Sequence, residues 1–231
     1  LALRFVFRKL TGPFLYHGTS LARKKSIQKE GLVFNIPKIY RKTQLSDKRI
    51  SLTSNLETAK RYAIKTVLME KKLTPKERKK LGLTKHRNVG IVLQINAKNL
   101  DSKKLIHDPE DADRICFLYV GKIIPPSLID TLPEISLNKQ DKNALEYLER
   151  DIEVSAAWEK GDHVKFVEEN IKFSKILYDN EDEQKQFLSK GLLDYVQNQE
   201  STYDPEQKKK YANFYSLVKA ELENKGYVDK N

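Results

Sequence analysis

Cysteine is nearly missing from this chain: Cys116 is the only one in 231 residues. That excludes an internal disulfide and a multi-cysteine zinc site, and it fits a reducing compartment without assigning an address. Long apolar runs are missing as well, so nothing approaches the ~20 residues that a membrane-spanning helix needs. No signal peptide is visible, and because the sequence opens at Leu1 rather than Met it says little about targeting. The Walker loop, Gly-x-Gly-x-x-Gly, His-Glu-x-x-His, Gly-x-Ser-x-Gly and the protein-kinase signature are all absent, and the chemistries those motifs carry are set aside with them. The four histidines, His17, His86, His107 and His163, stand at no ligand spacing, which argues against a metal site. No internal repeat or low-complexity tract stands out.

Carboxylates are scarce in one half only. Residues 1–100 carry 24 Lys and Arg against 5 Asp and Glu, a net +19, while residues 101–231 carry 19 against 27, a net −8. A basic half followed by an acidic half points to an anionic ligand or partner for the first, against the plainer reading of a solvated lysine-rich surface. Hydrophobic residues make up 39% and charged residues 32%, yet 9 Phe and 11 Tyr, with many Leu, Ile and Val, suffice for a core. The length allows one large domain or two small ones.

Local patterns order the first half. Phe14-Leu15-Tyr16 reads as a short buried strand ending at His17-Gly18-Thr19-Ser20. Ser20 is placed to cap a helix running through Glu30, and Gly31 stands where a left-handed residue would end it. Residues 34–49 are basic and rich in turn formers, a long loop of the kind that more often serves function than connection. Ile50–Thr53 reads as a strand, followed by a capping box at Ser54-Asn55-Leu56-Glu57. In the helix it opens, Leu56, Ala59, Ala63 and Val67 share one face and Tyr62 lies at its rim. Pro75 starts a short basic helix, and residues 89–95 and 115–120 are strand candidates, the second closed by Pro125-Pro126. Cys116 falls inside that apolar strand pattern, where a core thiol is the expectation.

The texture changes after about Thr131. Leu145, Leu148 and Ile152 recur at helical spacing, as do Val164, Val167 and Ile171, and then Tyr211, Phe214, Tyr215, Val218 and Leu222. Trp158 falls on such a stripe as a core residue, and Gly161, Gly191 and Asp204-Pro205 mark breaks. The expectation is an α+β chain: a domain over residues 1–135, then a helical appendage of three to five helices over 136–231.

One ordered set of residues carries chemistry. It comprises Tyr16-His17-Gly18-Thr19-Ser20, then Ser51-Leu52-Thr53-Ser54 followed by Ala59 and Tyr62-Ala63, then Val92-Leu93-Gln94-Ile95, and last Gly121 with Ile124-Pro125-Pro126-Ser127-Leu128-Ile129. Taken in order, it resembles the catalytic core of ADP-ribosyltransferases of the diphtheria-toxin and poly(ADP-ribose) polymerase type, over roughly residues 12–130. The resemblance implies a split β-sheet core, NAD as the donor substrate and a macromolecular acceptor, protein or nucleic acid. It implies that His17 bonds the adenosine ribose, with Thr19 beside it, that the main chain of Gly18 holds the nicotinamide amide, and that Tyr62 stacks on the nicotinamide ring. Arg49, with Arg41, Lys42 and Lys48 in the long loop, would meet the pyrophosphate.

Two positions depart from the family's pattern. Its second tyrosine, eleven residues before Tyr62, is replaced by Ser51, which offers a hydroxyl but no ring. The family's catalytic acid should open the strand leading into Ile124, yet residues 114–117 hold no carboxylate; Asp113 is the nearest, after Glu110 and Asp111. The catalytic set implied is therefore His17, Tyr62 and Asp113, with Ser51 among the donor-binding residues.

Three functions compete. The first is an NAD-consuming transferase of toxin or effector type, at work in the cytoplasm or delivered into a host cytosol. RNA 2′-phosphotransferases share a similar opening and a similar Pro-Pro ending and also use NAD, but residues 1–11 are too short for the N-terminal domain they require. The third is a degenerate module that binds nucleic acid or protein without turnover. The acidic, amphipathic tail reads as a site for a docking partner.

Overall fold

Short, largely buried strands make the first unit. Its strands are β1 (Phe14–Ser20), β2 (Leu32–Val33), β3 (Ile50–Thr53), β4 (Val89–Asn96), β5 (Leu105–His107), β6 (Cys116–Tyr119), β7 (Ile123–Ile124), β8 (Ile129–Thr131) and β9 (Ile135–Ser136). The computed structural model describes residues 13–33, 49–83, 88–108, 115–202 and 205–229. Among these the chain is an α+β protein of two units, Leu1–Gln140 and Asp141–Asn231. The boundary falls after β9 and the short turn Leu137–Lys139, because Leu137 N bonds Asn88 O and β9 pairs with β4.

The main sheet is antiparallel, in the order β5-β6-β3-β1-β4-β8, with β9 also on β4. β1 and β4 form its long central ladder, from Phe14↔Asn96 to Ser20↔Gly90. Leu15, Ile91, Leu93 and Ile95 face one side together with Ile50, Leu52 and Phe117. That side is closed by Ile27 of α1 (Lys24–Glu30) and by Leu32 and Ile124 of the separate β2–β7 pair. Phe117, with no exposed surface, contributes on the order of 2–3 kcal/mol through its burial. On the opposite side Tyr16 and Val92 pack on Ala59 and Ala63 of α2 (Leu56–Lys71), and α3 (Pro75–Lys80) follows it.

Three expectations change here. β1 does not stop at His17; it runs through Ser20, because Thr19 and Ser20 pair with Ile91 and Gly90 and both are buried. Thr19 is β-branched and suits a strand, and the long partner strand carries Ser20 along with it. Ser20 consequently caps nothing: its hydroxyl is buried and makes no hydrogen bond among the described residues. A 3-10 turn, Leu21–Arg23, intervenes before α1, which does end at Gly31 with φ of 84°. The cap of α2 is Asn55, whose side chain accepts from Thr58 N at 3.0 Å, while Ser54 turns its hydroxyl to Ile115 O. Of the loop expected over residues 34–49, residues 34–48 lie outside the described residues.

The second unit holds α4 (Lys142–Lys160), α5 (His163–Leu177), α6 (Glu181–Gln186), α7 (Leu192–Thr202), α8 (Pro205–Lys210) and α9 (Phe214–Asn224). Counted with α6 and α7 as one continuous helix, the described residues of this unit hold five, at the upper end of the expectation. The α4–α5 turn is Gly161 at φ 69°, followed by Asp162 accepting from Lys165 N. Gly191 does not break the chain; it ends a π-helical turn, Phe187–Gly191, that joins α6 directly to α7. Trp158 sits among Phe166, Tyr195, Tyr211 and Phe214, with ring centroids 5.0–5.8 Å away. Val164 departs from its stripe and is exposed, whereas Val167 and Val218 are fully buried.

Candidate active site

Strands β1 and β3 hold the site between them. Their ladder is recorded at Tyr16↔Thr53, which puts Gly18 level with Ser51 two residues further along. Just beyond the paired position the imidazole of His17 bridges the strands, its Nδ1 2.8 Å from Ser51 O. A carbonyl oxygen only accepts, so Nδ1 carries the proton and Nε2 presents a lone pair. The His17 pKa is lowered from 6.5: desolvation of the half-buried ring is the largest cause, opposed by the bond to Ser51 and reinforced by the charge of Arg23. At neutral pH the ring is therefore a neutral acceptor at Nε2, suited to a hydroxyl donor on a ligand.

Gly18 is bare because a helix packs against it. A Cβ there would sit 2.5 Å from Ala63 N and 3.0 Å from the Tyr62 carbonyl carbon, and would also collide with Ala59 O. Helix α2, not a ligand, fills that direction. Gly90 makes the same allowance on β4, where a Cβ would meet Ala63 at 3.0 Å. This close seating puts the main chain of Tyr62 against Gly18, and the Tyr62 side chain is 50% exposed at the helix rim. An ion pair links the elements that carry His17 and Tyr62: Arg23, three residues past β1, donates from Nε to Glu70 of α2 at 2.7 Å. Sequence patterns offered no sign of this pair, because its partners are 47 residues apart.

Ser51 is exposed, and by strand alternation its side chain shares the α2 face with Tyr16 and Thr53. Thr19, expected beside His17 in the donor-binding set, is buried at 3% exposed. Arg49 is half-buried immediately before β3; Arg41, Lys42 and Lys48 lie outside the described residues.

The β3–α2 corner is tied to the start of β6. Ile115 O accepts from Ser54 N at 2.8 Å, Thr53 Oγ1 at 3.1 Å and Ser54 Oγ at 3.3 Å. β6 itself, from Cys116 to Tyr119, bears no carboxylate; Cys116 stands opposite Thr53 and is half-buried. Asp113 lies outside the described residues, as do Glu110 and Asp111. Asp108, whose N–H donates to Cys116 O, is the acid that the sheet sets in the same row. It is two strand spacings from Thr53, about 10 Å, too far to share a ligand atom with His17.

Among the described residues no cluster of three His, Cys, Asp or Glu gathers to hold a metal, and no helix is long and apolar enough to cross a membrane. His17 and Gly18 on β1, Ser51 on β3 and Tyr62 on α2 thus stand on three adjoining elements where β1 and β3 part, with the His17 side chain on the Leu93 side of the sheet and that of Ser51 on the α2 side. No protein-family model matches the chain, and neither a curated protein nor a solved structure matches it.

Proposed function

We propose that the first unit is an NAD-dependent ADP-ribosyltransferase that modifies a macromolecular acceptor, with a toxin or effector role. One observation carries the reading: the β1–β3 junction where His17 bonds Ser51 O while Gly18 lies against the main chain of exposed Tyr62. In this reading NAD is the donor substrate. The C1′–N bond of its nicotinamide ribose breaks, the electron pair leaves with neutral nicotinamide, and an acceptor nucleophile takes the ribosyl carbon and loses its proton. His17 Nε2 accepts a ribose hydroxyl, and the Tyr62 ring lies against the pyridinium. A carboxylate facing the developing oxocarbenium charge stabilises the transition state more than the ground state. Asp113 takes that role here, and the second unit docks a partner.

The test is release of nicotinamide and transfer of label when the protein meets labelled NAD and a crude lysate. Activity should fall to background in His17→Ala and by at least tenfold in Asp113→Asn. Tyr62→Ala should lose roughly ten- to hundredfold, since aromatic stacking contributes about 1–3 kcal/mol, with most of the rate restored in Tyr62→Phe. Wild-type release no greater than that of His17→Ala refutes the enzyme, and an unchanged Tyr62→Ala rate removes the stacking role. Acceptor choice that is intact after removal of residues 141–231 excludes docking there.

A second reading is favoured by the Cys116–Tyr119 strand, which has no carboxylate. In it the same junction binds a nucleic acid or protein ligand without turnover, and saturable binding with no nicotinamide release would select it.

A further inference from the structure

The acceptor class can be argued from the charge that surrounds Tyr62. Past Lys60, which pairs with Glu57 at 2.7 Å, the chain from Arg61 to Lys80 has eight Lys and Arg and only two carboxylates, Glu70 and Glu77. Neither carboxylate balances the outer face. Glu70 is buried and bonds Arg23 from outside the stretch. Glu77 serves the cap of α3, accepting from Thr74 N at 2.8 Å and Thr74 Oγ1 at 2.7 Å. Arg61, Lys71, Lys76, Lys79 and Lys80 are all exposed. Lys76 lies three and four residues from Lys79 and Lys80 on a helix of six residues, a spacing at which like charges repel. The capping box and Pro75 hold that helix together in spite of the repulsion.

The basic face begins at the candidate site. Arg61 precedes exposed Tyr62, and from Arg61 to Lys71 α2 extends about 15 Å at 1.5 Å per residue, before α3 adds its lysines. A ligand that carries a negative charge on each unit suits this concentration of exposed lysine and arginine, which is the electrostatic footprint of nucleic-acid binding. A base that is to react must also leave a duplex before an enzyme reaches it. We propose that the acceptor is single-stranded nucleic acid, docked by its phosphates along the exposed basic face of α2 and α3 so that a nucleotide reaches the Tyr62 edge of the site. The acceptor role rests on the transferase reading above; the docking face does not.

The test uses the full chain and a fluorescein-labelled 20-nucleotide single strand of mixed sequence, followed by anisotropy without NAD and, separately, by transfer of labelled ADP-ribose to the oligonucleotide. The triple variant Lys76→Gln, Lys79→Gln, Lys80→Gln should bind at least tenfold more weakly. Its slope of log affinity against log salt should be shallower by about 2, at roughly 0.7 per lost phosphate contact. Its nicotinamide release without acceptor should equal that of the wild type. Wild-type affinity in the triple variant, tighter binding of the matching duplex, or equal binding of poly-glutamate of the same charge overturns the proposal, the last in favour of an acidic protein acceptor. Nicotinamide release that persists while these arms fail leaves the transferase standing and removes the nucleic acid. Lysine-dependent binding without any release sinks the transferase and its acceptor role and leaves the docking face.

Discussion

Replacing Gly18 by alanine puts one methyl group between β1 and α2. The new Cβ would lie 2.5 Å from Ala63 N, where ordinary van der Waals contact starts at 3.4 Å, and it would press on Ala59 O as well. Both obstacles are helix backbone, so no rotamer change relieves them and α2 must retreat by about an ångström. Such overpacking typically costs about 1–3 kcal/mol, and an obstacle made of backbone argues for the upper end. For a unit of this size, about 3 kcal/mol corresponds to a fall in melting temperature on the order of 10 °C. The assay is thermal unfolding followed by circular dichroism, with Gly191→Ala as the control. There the added Cβ meets only Phe187 at an ordinary 3.5 Å inside a helical turn, and the change should be neutral or stabilising by roughly 0.5–1 kcal/mol. A Gly18→Ala protein that melts like the wild type and loses only NAD turnover would refute the packing argument.

Two further outcomes follow from the electrostatics. Arg23→Ala leaves Glu70, whose side chain is 8% exposed, buried beside no cation from β1, and should cost about 2–4 kcal/mol in denaturant unfolding. Adding Glu70→Met should restore most of that, and a double variant no more stable than Arg23→Ala would dismiss the pair as a clamp. The lowered His17 pKa means that the unfolded chain binds the proton first, so stability from this group is fully present above 6.5 and declines as pH falls below it towards the folded value. Nicotinamide release should decline in the same direction once Nε2 is protonated, and urea midpoints measured across this range should lose that pH dependence in His17→Gln. A midpoint whose slope is identical in both proteins would show that His17 does not titrate there.

Much of the fold could be read from local patterns. Ile50–Thr53 stands at the bounds read from the sequence, as β4 does to within one residue, and Gly31 and Gly161 end their helices with positive φ. These features depend on a few neighbouring residues and on backbone sterics, which is the information that a linear string contains. The cap of α2 slipped from Ser54 to Asn55 because Ser54 found a partner at Ile115, 61 residues away. The end of β1 was misplaced for the same kind of reason, since pairing with β4 carries the strand on through Ser20.

By itself the sequence determined the composition of the candidate site, a histidine and glycine on the first strand and a tyrosine on the rim of the following helix, along with the concentration of positive charge around them. Tertiary structure alone decided how those parts are set: Gly18 is bare to admit α2, Thr19 is buried, the His17 ring bonds Ser51 O through Nδ1 with its pKa lowered by desolvation, and Arg23 ties β1's exit to Glu70. The division has a physical origin. Side-chain chemistry and helical or strand periodicity belong to residues and their near neighbours, whereas steric exclusion, desolvation and ion pairing depend on atoms that meet only when distant segments fold together.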